Sequence, residues 1–310
     1  MKNNKKIKIA LKLLVSAGFV AWIIYAVKWR EVWHYLLELR LWEVFAYIAV
    51  LLIGFCISSY KWKFLAEFKG IHLPFREFLN LYITGVFVNN FMPSFVAGDA
   101  YKAYQIGKKD RKYVSATSTV IVDRLTGYIG ATILAVFFGI LNFKVLWANK
   151  ILLYIDLGLI AFIASDFVFM AMKKISFLRI IARKIIPDKI IELLKDLESF
   201  NGGSKIILRA VIYAMIFSMV GLAFLNYILF LSLGIAISPL DYLTVIFITA
   251  IISAAPISIN NIGIKEWSYI TFFGFFGVSA SAVVTVAIVS RLLQMLVSFV
   301  ALPLYLKERK

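Results

Sequence analysis

Two stretches of the sequence place amides, a proline, a glycine and charged side chains within long apolar runs. Their candidate binding residues are Asn89, Asn90, Pro93, Gly98, Asp99 and Lys102 in the first stretch, and Asn260, Asn261, Gly263, Lys265 and Glu266 in the second. A plain transmembrane helix needs none of these, and irregular backbone at membrane depth is tolerated only where it is buried in protein or lines a wet cavity. Both stretches therefore predict a broken or re-entrant segment beside a polar site.

Charged residues also occur in the long apolar runs that follow the two stretches. Asp123 and Arg124 lie a third of the way along the first run, and Arg291 lies in the middle of the second, with Gln294 on roughly the same helical face. A charge near mid-membrane costs about 2.5–3.5 kcal/mol on insertion scales, so such residues are either functional or paired. Arg124 can serve as a structural partner of Asp99 or Asp123, whereas Arg291 has no acidic residue beside it in the sequence.

These residue types suit the binding of an anionic or hydroxyl-rich head group. A guanidinium offers five fixed donors that match phosphate or carboxylate. Helix N-termini after Gly98 and Gly263 would add oriented N–H groups for an anion. Asparagine amides can bind sugar or glycerol hydroxyls, or they can serve only to form turns, and both interpretations stay open.

The composition predicts an all-α integral membrane protein. Of the 310 residues, 62% are hydrophobic and 16% are charged, and the mean hydropathy is +0.88. The length suits roughly six full spans plus two Pro/Gly-broken re-entrant hairpins. The spans are predicted at about 9–29, 42–60, 113–143, 151–172, 206–234 and 279–306. A basic loop with Lys61, Lys63, Lys69 and Arg76 follows the second span, helices are predicted over 176–186 and 187–200, and the turn at 235–241 is predicted to be external. We expect a single polytopic membrane domain over 1–310, with a first span at about 9–29 that is retained.

The net charge of +17 would suggest nucleic-acid binding in a soluble protein. Here the basic residues cluster in short loops, which indicates a positive-inside topology and contact with anionic lipid head groups. We expect a multi-pass protein of the cell (cytoplasmic) membrane with both termini and an amphipathic linker, 173–205, on the cytoplasmic side, and no nucleic-acid partner. The single cysteine, Cys56, excludes an intrachain disulfide and a Cys-based metal site, and no cofactor or metal is expected.

Basic loops flank the run 78–98 on both sides. If both loops are cytoplasmic, this run cannot cross the membrane completely, and it must enter and return on the same side. The alternative is an ordinary crossing that is followed by an unusually basic outer loop.

The two polar stretches belong to a predicted inverted-topology repeat, with repeat one at about 76–143 and repeat two at about 240–306. Gly98 precedes Arg124 by 26 residues, and Gly263 precedes Arg291 by 28. The first unit opens from inside and the second from outside. Broken segments at corresponding positions of two inverted halves point to the binding site of a transporter.

Enzyme motifs are absent from the sequence. It contains no phosphate-cradling Gly-x4-Gly-Lys-Ser/Thr, no Gly-x-Ser-x-Gly elbow and no histidine cluster. We therefore expect that the protein is not an enzyme.

The motifs resemble the flippase-like transmembrane region of lysylphosphatidylglycerol synthases, which also occurs alone and in archaeal glycosyltransferase-linked proteins. The residues that carry the resemblance are Asn90 to Lys102, Asp123-Arg124 with Gly127, Pro256 to Glu266, and Arg291. The family implies a multi-spanning inner-membrane protein that moves a polar or charged lipid between leaflets. In the synthases a soluble aminoacyl-transferase domain follows this region, whereas the present sequence stops at Lys310, so we expect no lipid-modifying activity. Two departures concern the head group: Ser94 to Ala97 is bulkier than the family's glycine-rich turn, and lysine stands at 102 and 265 where arginine is frequent.

The leading functional hypothesis is a lipid flippase or scramblase for an anionic or glycosylated lipid, either a phospholipid or a polyprenyl-phosphate carrier. The head group would occupy a polar cavity between the repeats while the tails stay in the bilayer. One alternative is a secondary transporter of a small anion, with Asp99, Asp123 or Glu266 coupling protons. Another is a non-transporting partner of a separate glycosyltransferase or lipid synthase, which would dock on the 173–205 linker.

Overall fold

The computed structural model describes residues 18, 21–92, 96–171, 188–254, 258 and 261–308, and every regular element in these ranges is helical. The α-helices are α1 (Trp29–Glu38), α2 (Leu41–Phe68), α3 (Phe75–Phe91), α4 (Ala97–Asp110), α5 (Tyr113–Leu141), α6 (Phe143–Ala148), α7 (Lys150–Ala171), α8 (Asp188–Glu198), α9 (Ser204–Phe217), α10 (Leu225–Ser232), α11 (Pro239–Ser253), α12 (Ile264–Gly274), α13 (Ala280–Ser298) and α14 (Leu302–Glu308). A π-helical segment, Ser218–Phe224, joins α9 to α10.

Four helical stretches in the described ranges are long and apolar enough to cross a membrane: Leu41–Phe68, Tyr113–Leu141, Ser204–Ser232 and Ala280–Leu306. They coincide with four of the predicted spans. Helix α7 has 22 residues and occupies the position of a further predicted span, whereas most of the predicted first span lies outside the described residues. The all-helical, multi-pass membrane class is thus confirmed, and the count of six full spans stays a prediction.

Helices α3 and α4 form an antiparallel hairpin, which we call hairpin one. Gly98 at the start of α4 lies against Gly85, near the end of α3. Towards the other end of the hairpin, the Lys109 Nζ lies 2.5 Å from the Glu77 carboxylate. With 17 and 14 residues, neither helix reaches the ~20 residues that a full span requires.

Helices α11 and α12 form hairpin two in the same way. Ser238 caps the N-terminus of α11 and Pro239 is its first residue, a position where a missing N–H has no cost. The Ser253 and Ser268 hydroxyls are 3.3 Å apart, and further along the rings of Tyr242 and Phe273 stack with centroids 5.8 Å apart. These helices have 15 and 11 residues, so they are also too short to span.

Each hairpin packs against the arginine-bearing helix of the other half of the chain. On hairpin one, the Asn90 Nδ2 donates a hydrogen bond to the Ser298 Oγ of α13, at 2.8 Å. On hairpin two, Phe247 stacks on Phe138 of α5, with ring centroids 5.8 Å apart. The two halves of the chain therefore hold one another in place.

The linker helix α8 confirms the predicted helix over 187–200, while the predicted helix over 176–186 lies outside the described residues. Helix α8 is held against the bundle by Asp196. This residue forms an ion pair with Lys69 of α2 at 2.8 Å and accepts a hydrogen bond from Ser118 of α5. Burial by itself would raise the pKa of the Asp196 carboxyl, but the hydrogen bonds from Lys69 and Ser118 outweigh burial and lower the pKa. The carboxylate therefore stays ionised and α8 stays docked at neutral pH.

The close approach at Gly98 gives a stability prediction. A Cβ at this position would lie 2.1 Å from the Gly85 carbonyl oxygen, so Gly98→Ala must push the two helices of hairpin one apart. We expect a loss of about 1–3 kcal/mol in the free energy of unfolding, measured by thermal or denaturant unfolding in detergent. Gly158→Ala is the control because nothing lies within 4 Å of its Cβ position; an equal loss in both variants would contradict the close packing.

Candidate functional site

A cavity of about 320 Å³ lies beside hairpin one, between α2, α5, α9 and hairpin two. Charged side chains line it from α2, α4 and α5, and we call this part its charged wall. Apolar side chains line it from α9, the π-helical segment and α11, and we call this part its apolar wall. The lining residues are Ser58, Lys61, Tyr82, Gly85, Val86, Asn89, Asp99, Lys102, Asp123, Arg124, Gly127, Tyr128, Ala131, Phe217, Ser218, Leu222, Ala250 and Ile251.

Lys61 is the residue in this cavity whose place the sequence did not reveal. We expected the second span to end near residue 60 and Lys61 to belong to a basic loop, but α2 continues to Phe68 and buries Lys61 to 5% exposure. The Nζ lies 3.0 Å from the Asp123 Oδ1 and donates to the Asp123 backbone carbonyl at 2.7 Å. A buried ammonium needs a counter-charge, and Asp123 supplies it.

Asp99 is the centre of a second set of ion pairs. Its two carboxylate oxygens lie 2.8 Å from the Lys102 Nζ and 2.8 Å from an Nη of Arg124. The Lys102 ammonium also lies 5.1 Å from the ring centroids of both Trp62 and Tyr82, a favourable distance for a cation–π contact. The prediction that Arg124 can pair with Asp99 is confirmed.

The charges around the cavity do not cancel. Lys61, Lys102 and Arg124 face Asp99 and Asp123, which leaves one net positive charge. The Arg124 side chain lines the cavity and keeps 27% of its surface exposed. A cationic site of this size in a low-dielectric surrounding favours an anionic group.

The π-helical segment lies in the apolar wall. Phe217, Ser218 and Leu222 contribute to the lining, and a wide turn of this kind is often found at functional sites. The segment also brings Gly221 against Gly54 of α2, where a Cβ on Gly54 would lie 3.1 Å from the Gly221 Cα. Small residues at such crossings let membrane helices approach closely.

The second predicted stretch forms a separate polar group, which we call the Arg291 group. Arg291 lies 2.9 Å from the Glu266 Oε1, the Lys265 Nζ donates to the Ser290 Oγ at 2.8 Å, and Gln294 donates to the Tyr47 hydroxyl at 3.2 Å. These residues do not line the cavity described above. The structure therefore brings the predicted site residues together in two groups rather than one.

The predicted asparagines and glycines serve mainly to shape the backbone. The Asn89 Oδ1 accepts a hydrogen bond from the Gly98 N–H at 2.7 Å, and the Glu266 carboxylate accepts one from the Gly263 N–H at 2.8 Å. These two amide donors are thus engaged within the protein, and anion binding by the N–H groups that follow them stays a prediction. Asn261 has a left-handed φ of 57°, which suits a turn-forming role, while Pro93 and Asn260 lie outside the described residues.

Ser58 and Tyr82, like Lys61, are polar cavity residues that were not among the predicted site residues. Ser58 and Lys61 are three residues apart near the end of an apolar run, so they share one helical face. This spacing can be read from the sequence, and it indicates a polar helical face that is directed towards the protein interior. For a metal there is no comparable signal, since the described part of the chain places no group of three His, Cys, Asp or Glu residues together.

Comparison with known proteins identifies the class and then the family. The helices and the buried charges define a multi-pass membrane protein with a polar interior site. Residues 9–301 match the family described as the lysylphosphatidylglycerol synthase TM region, so this chain belongs to that family. The chain is also 32% identical over 84 residues to the UPF0104 membrane protein MJ1595 of Methanocaldococcus jannaschii. This match covers 26% of the chain and spans about a quarter (25%) of the length of that relative.

The Lys61–Asp123 pair predicts a selective loss of stability. Lys61→Met strands a buried carboxylate, so we expect the free energy of unfolding to fall by about 3–5 kcal/mol, and the double variant Lys61→Met/Asp123→Leu to recover most of it. Lys28→Met is the control because Lys28 forms an exposed pair with Glu31, and such pairs contribute little. Wild-type stability in Lys61→Met, measured by unfolding in detergent, would show that the pair is not required.

Proposed function

We propose that this protein moves an anionic or glycosylated polar lipid between leaflets, as a flippase or scramblase. The observation that carries the proposal is the cavity with one charged wall and one apolar wall. A lipid has the same two parts, and a cavity of this kind can receive the head group while the tails remain in the bilayer. Membership in a family named after a lipid synthase's transmembrane region is consistent with this proposal.

The proposed mechanism uses exchange of ion-pair partners. Asp99 pairs with both Lys102 and Arg124. An arriving phosphate takes over part of the Arg124 guanidinium, which offers a planar fork matched to phosphate oxygens. Lys61 stays bound to Asp123 throughout and contributes its charge at a distance. The phosphate then becomes a partner of Arg124, while Asp99 keeps Lys102 as its partner. Neither binding nor release therefore leaves a buried charge unpaired.

We further propose that hairpins one and two are re-entrant halves of an inverted-topology repeat. Three observations support this: both hairpins have helices too short to span, each ends at a polar group, and each packs on the other half's arginine helix. In this proposal the Arg291 group is the counterpart of the cavity, and relative movement of the hairpins passes the head group between them. The membrane is the cell membrane, both termini are cytoplasmic, and the protein carries out transport without enzymatic chemistry or a cofactor.

The re-entrant arrangement predicts how the loops are labelled. In a Cys56→Ser background, Lys108→Cys should resist a membrane-impermeant maleimide added from outside intact cells and react only after the membrane is opened. Ser238→Cys is the matched control, because the turn that contains it is predicted to be external. Labelling of position 108 from outside would show that 78–98 crosses the membrane, and the inverted repeat would then be rejected.

The transport proposal is tested by leaflet exchange in reconstituted vesicles with dithionite-quenchable phospholipid and polyprenyl-phosphate analogues. Arg124→Ala should slow exchange at least tenfold with a small effect on thermal stability, since Asp99 keeps Lys102 as a partner. Arg124→Lys should recover only part of the rate because it lacks the bidentate fork. Lys144→Ala controls for the loss of one cation elsewhere.

Arg291→Ala tests the Arg291 group in the same assay, and it should also slow exchange. Wild-type rates in both arginine variants for every anionic lipid would reject the head-group role and favour a partner protein of a separate glycosyltransferase or lipid synthase. Uptake of a small water-soluble anion without any lipid exchange would instead indicate a secondary transporter.

A further inference from the structure

Arg209 occupies an unusual position on the outer surface of the bundle, outside the cavity. Its guanidinium lies 4.7 Å from the ring centroid of Phe64 and 5.8 Å from those of Tyr60 and Tyr213, and an Nη donates to the Tyr60 hydroxyl at 3.2 Å. Among the described residues no carboxylate pairs with it. The aromatic rings therefore hold the guanidinium in place, and no carboxylate in the described ranges offsets its charge.

The start of α9 adds to this positive charge. Gly203 precedes the helix without a capping side chain, and the first turn has no acidic residue. Lys205 is exposed and lies one turn before Arg209 on the same face. The first turn of a helix carries a partial positive charge, and Lys205 adds to it, so this end of α9 favours an anion.

An apolar stripe continues directly from the two cations. Leu208, Ile212 and Ile216 are 61%, 47% and 43% exposed, and their spacing of four places them on the face that Lys205 and Arg209 share. From Lys205 to Ile216 the helix rises about 16 Å, at about 1.5 Å per residue. The stripe belongs to a stretch long and apolar enough to span a membrane, so it faces the bilayer.

We infer that this face of α9 binds an anionic phospholipid of the adjacent leaflet, the one that the basic loops predict to be cytoplasmic. The phosphate lies between Lys205, Arg209 and the Tyr60 hydroxyl, and one acyl chain lies along Leu208, Ile212 and Ile216. A soluble phosphate would match the cations but not the stripe, and an apolar peptide would match the stripe but not the cations. The combination of the two features fits a phospholipid.

The site is adjacent to the cavity through both helices that build it. Tyr60 directly precedes Lys61, and α9 leads at its far end into Phe217 and Ser218, which line the cavity. A lipid bound here therefore contacts α2 and α9, two of the helices that line the cavity. We therefore assign the site a loading role for transported lipid; this role rests on the proposed function, whereas the binding site does not.

The binding site is tested with the purified full-length chain by native mass spectrometry, titrating phosphatidylglycerol and, separately, phosphatidylcholine. Wild-type protein should retain phosphatidylglycerol preferentially. Arg209→Ala should weaken its apparent affinity about fivefold, the effect expected of one basic residue near an anionic lipid, and Tyr60→Phe should weaken it by less. Lys150→Ala is the matched control, because Lys150 is also an exposed cation over an aromatic ring, with its Nζ 4.0 Å from the Trp147 centroid, but it lies on α7 and not on the α9 face.

The outcomes separate binding from transport. Unchanged phosphatidylglycerol retention in Arg209→Ala, or an equal decrease in Lys150→Ala, overturns the site. If retention falls only in Arg209→Ala, the site is supported. Leaflet exchange at a low mole fraction of phosphatidylglycerol then tests the loading role: a slower rate in Arg209→Ala supports it, and a wild-type rate overturns it. Failure of exchange in the wild-type protein would reject the proposed function and leave the binding result standing.

Discussion

The structure depends on the mutual neutralisation of charges that are buried among membrane helices. Asp99 of hairpin one pairs with Arg124 of α5. Asp123 of α5 pairs with Lys61 of α2. A buried carboxylate or ammonium is tolerated only if such a partner is in place, so these pairs fix the relative positions of α2, hairpin one and α5. The same pairs form the charged wall of the cavity. In the proposed function, a head group therefore competes with the interactions that hold the helices together.

In the proposed function, one pair of residues stabilises the helix packing and a different residue binds the head group. Lys61 and Asp123 are almost fully enclosed and bind one another by two contacts, as expected of a pair that stays intact. Arg124 is partly exposed and shares Asp99 with Lys102. When Arg124 turns to another anion, Asp99 still has a cation, and the cost of opening the pair is limited. The residue best placed to bind is thus the one whose release disturbs the fold least.

Local sequence patterns predicted the helices well because membrane spans leave a strong signal. The apolar runs at 42–60, 113–143 and 279–306 correspond to α2, α5 and α13 with the following turns, since a bilayer requires long apolar helices. Even the pairing of Arg124 with Asp99 was among the expectations. Lys61 was misplaced because a lysine that ends an apolar run looks the same whether it reaches the lipid surface or turns into the protein. That choice is decided by Asp123, which lies 62 residues away, and no local pattern contains this information.

The distribution of the polar residues into two groups was equally beyond local reasoning. The matching order of glycine and arginine predicts two related units. It carries no information on where the two polar groups lie relative to one another. The enclosing helices decide this: Gln294 binds Tyr47 near the start of α2, whereas Asp123 binds Lys61 fourteen residues further along the same helix. With about 1.5 Å of rise per residue, the two contacts are roughly 21 Å apart along α2. Such a separation follows only from the packing of whole helices.

The reciprocal docking of the hairpins has a consequence for biosynthesis. Hairpin two finds its docking surface on α5, which the ribosome has already made, but Asn90 of hairpin one must await Ser298, which is 208 residues later in the chain. At about 5–20 residues per second, hairpin one spends roughly 10–40 s without its final neighbour. During this interval its amides have to be sheltered by the insertion machinery or by water at the membrane surface, since bare lipid offers them no partner. The order of synthesis thus makes the first half of the protein the one that depends on assistance.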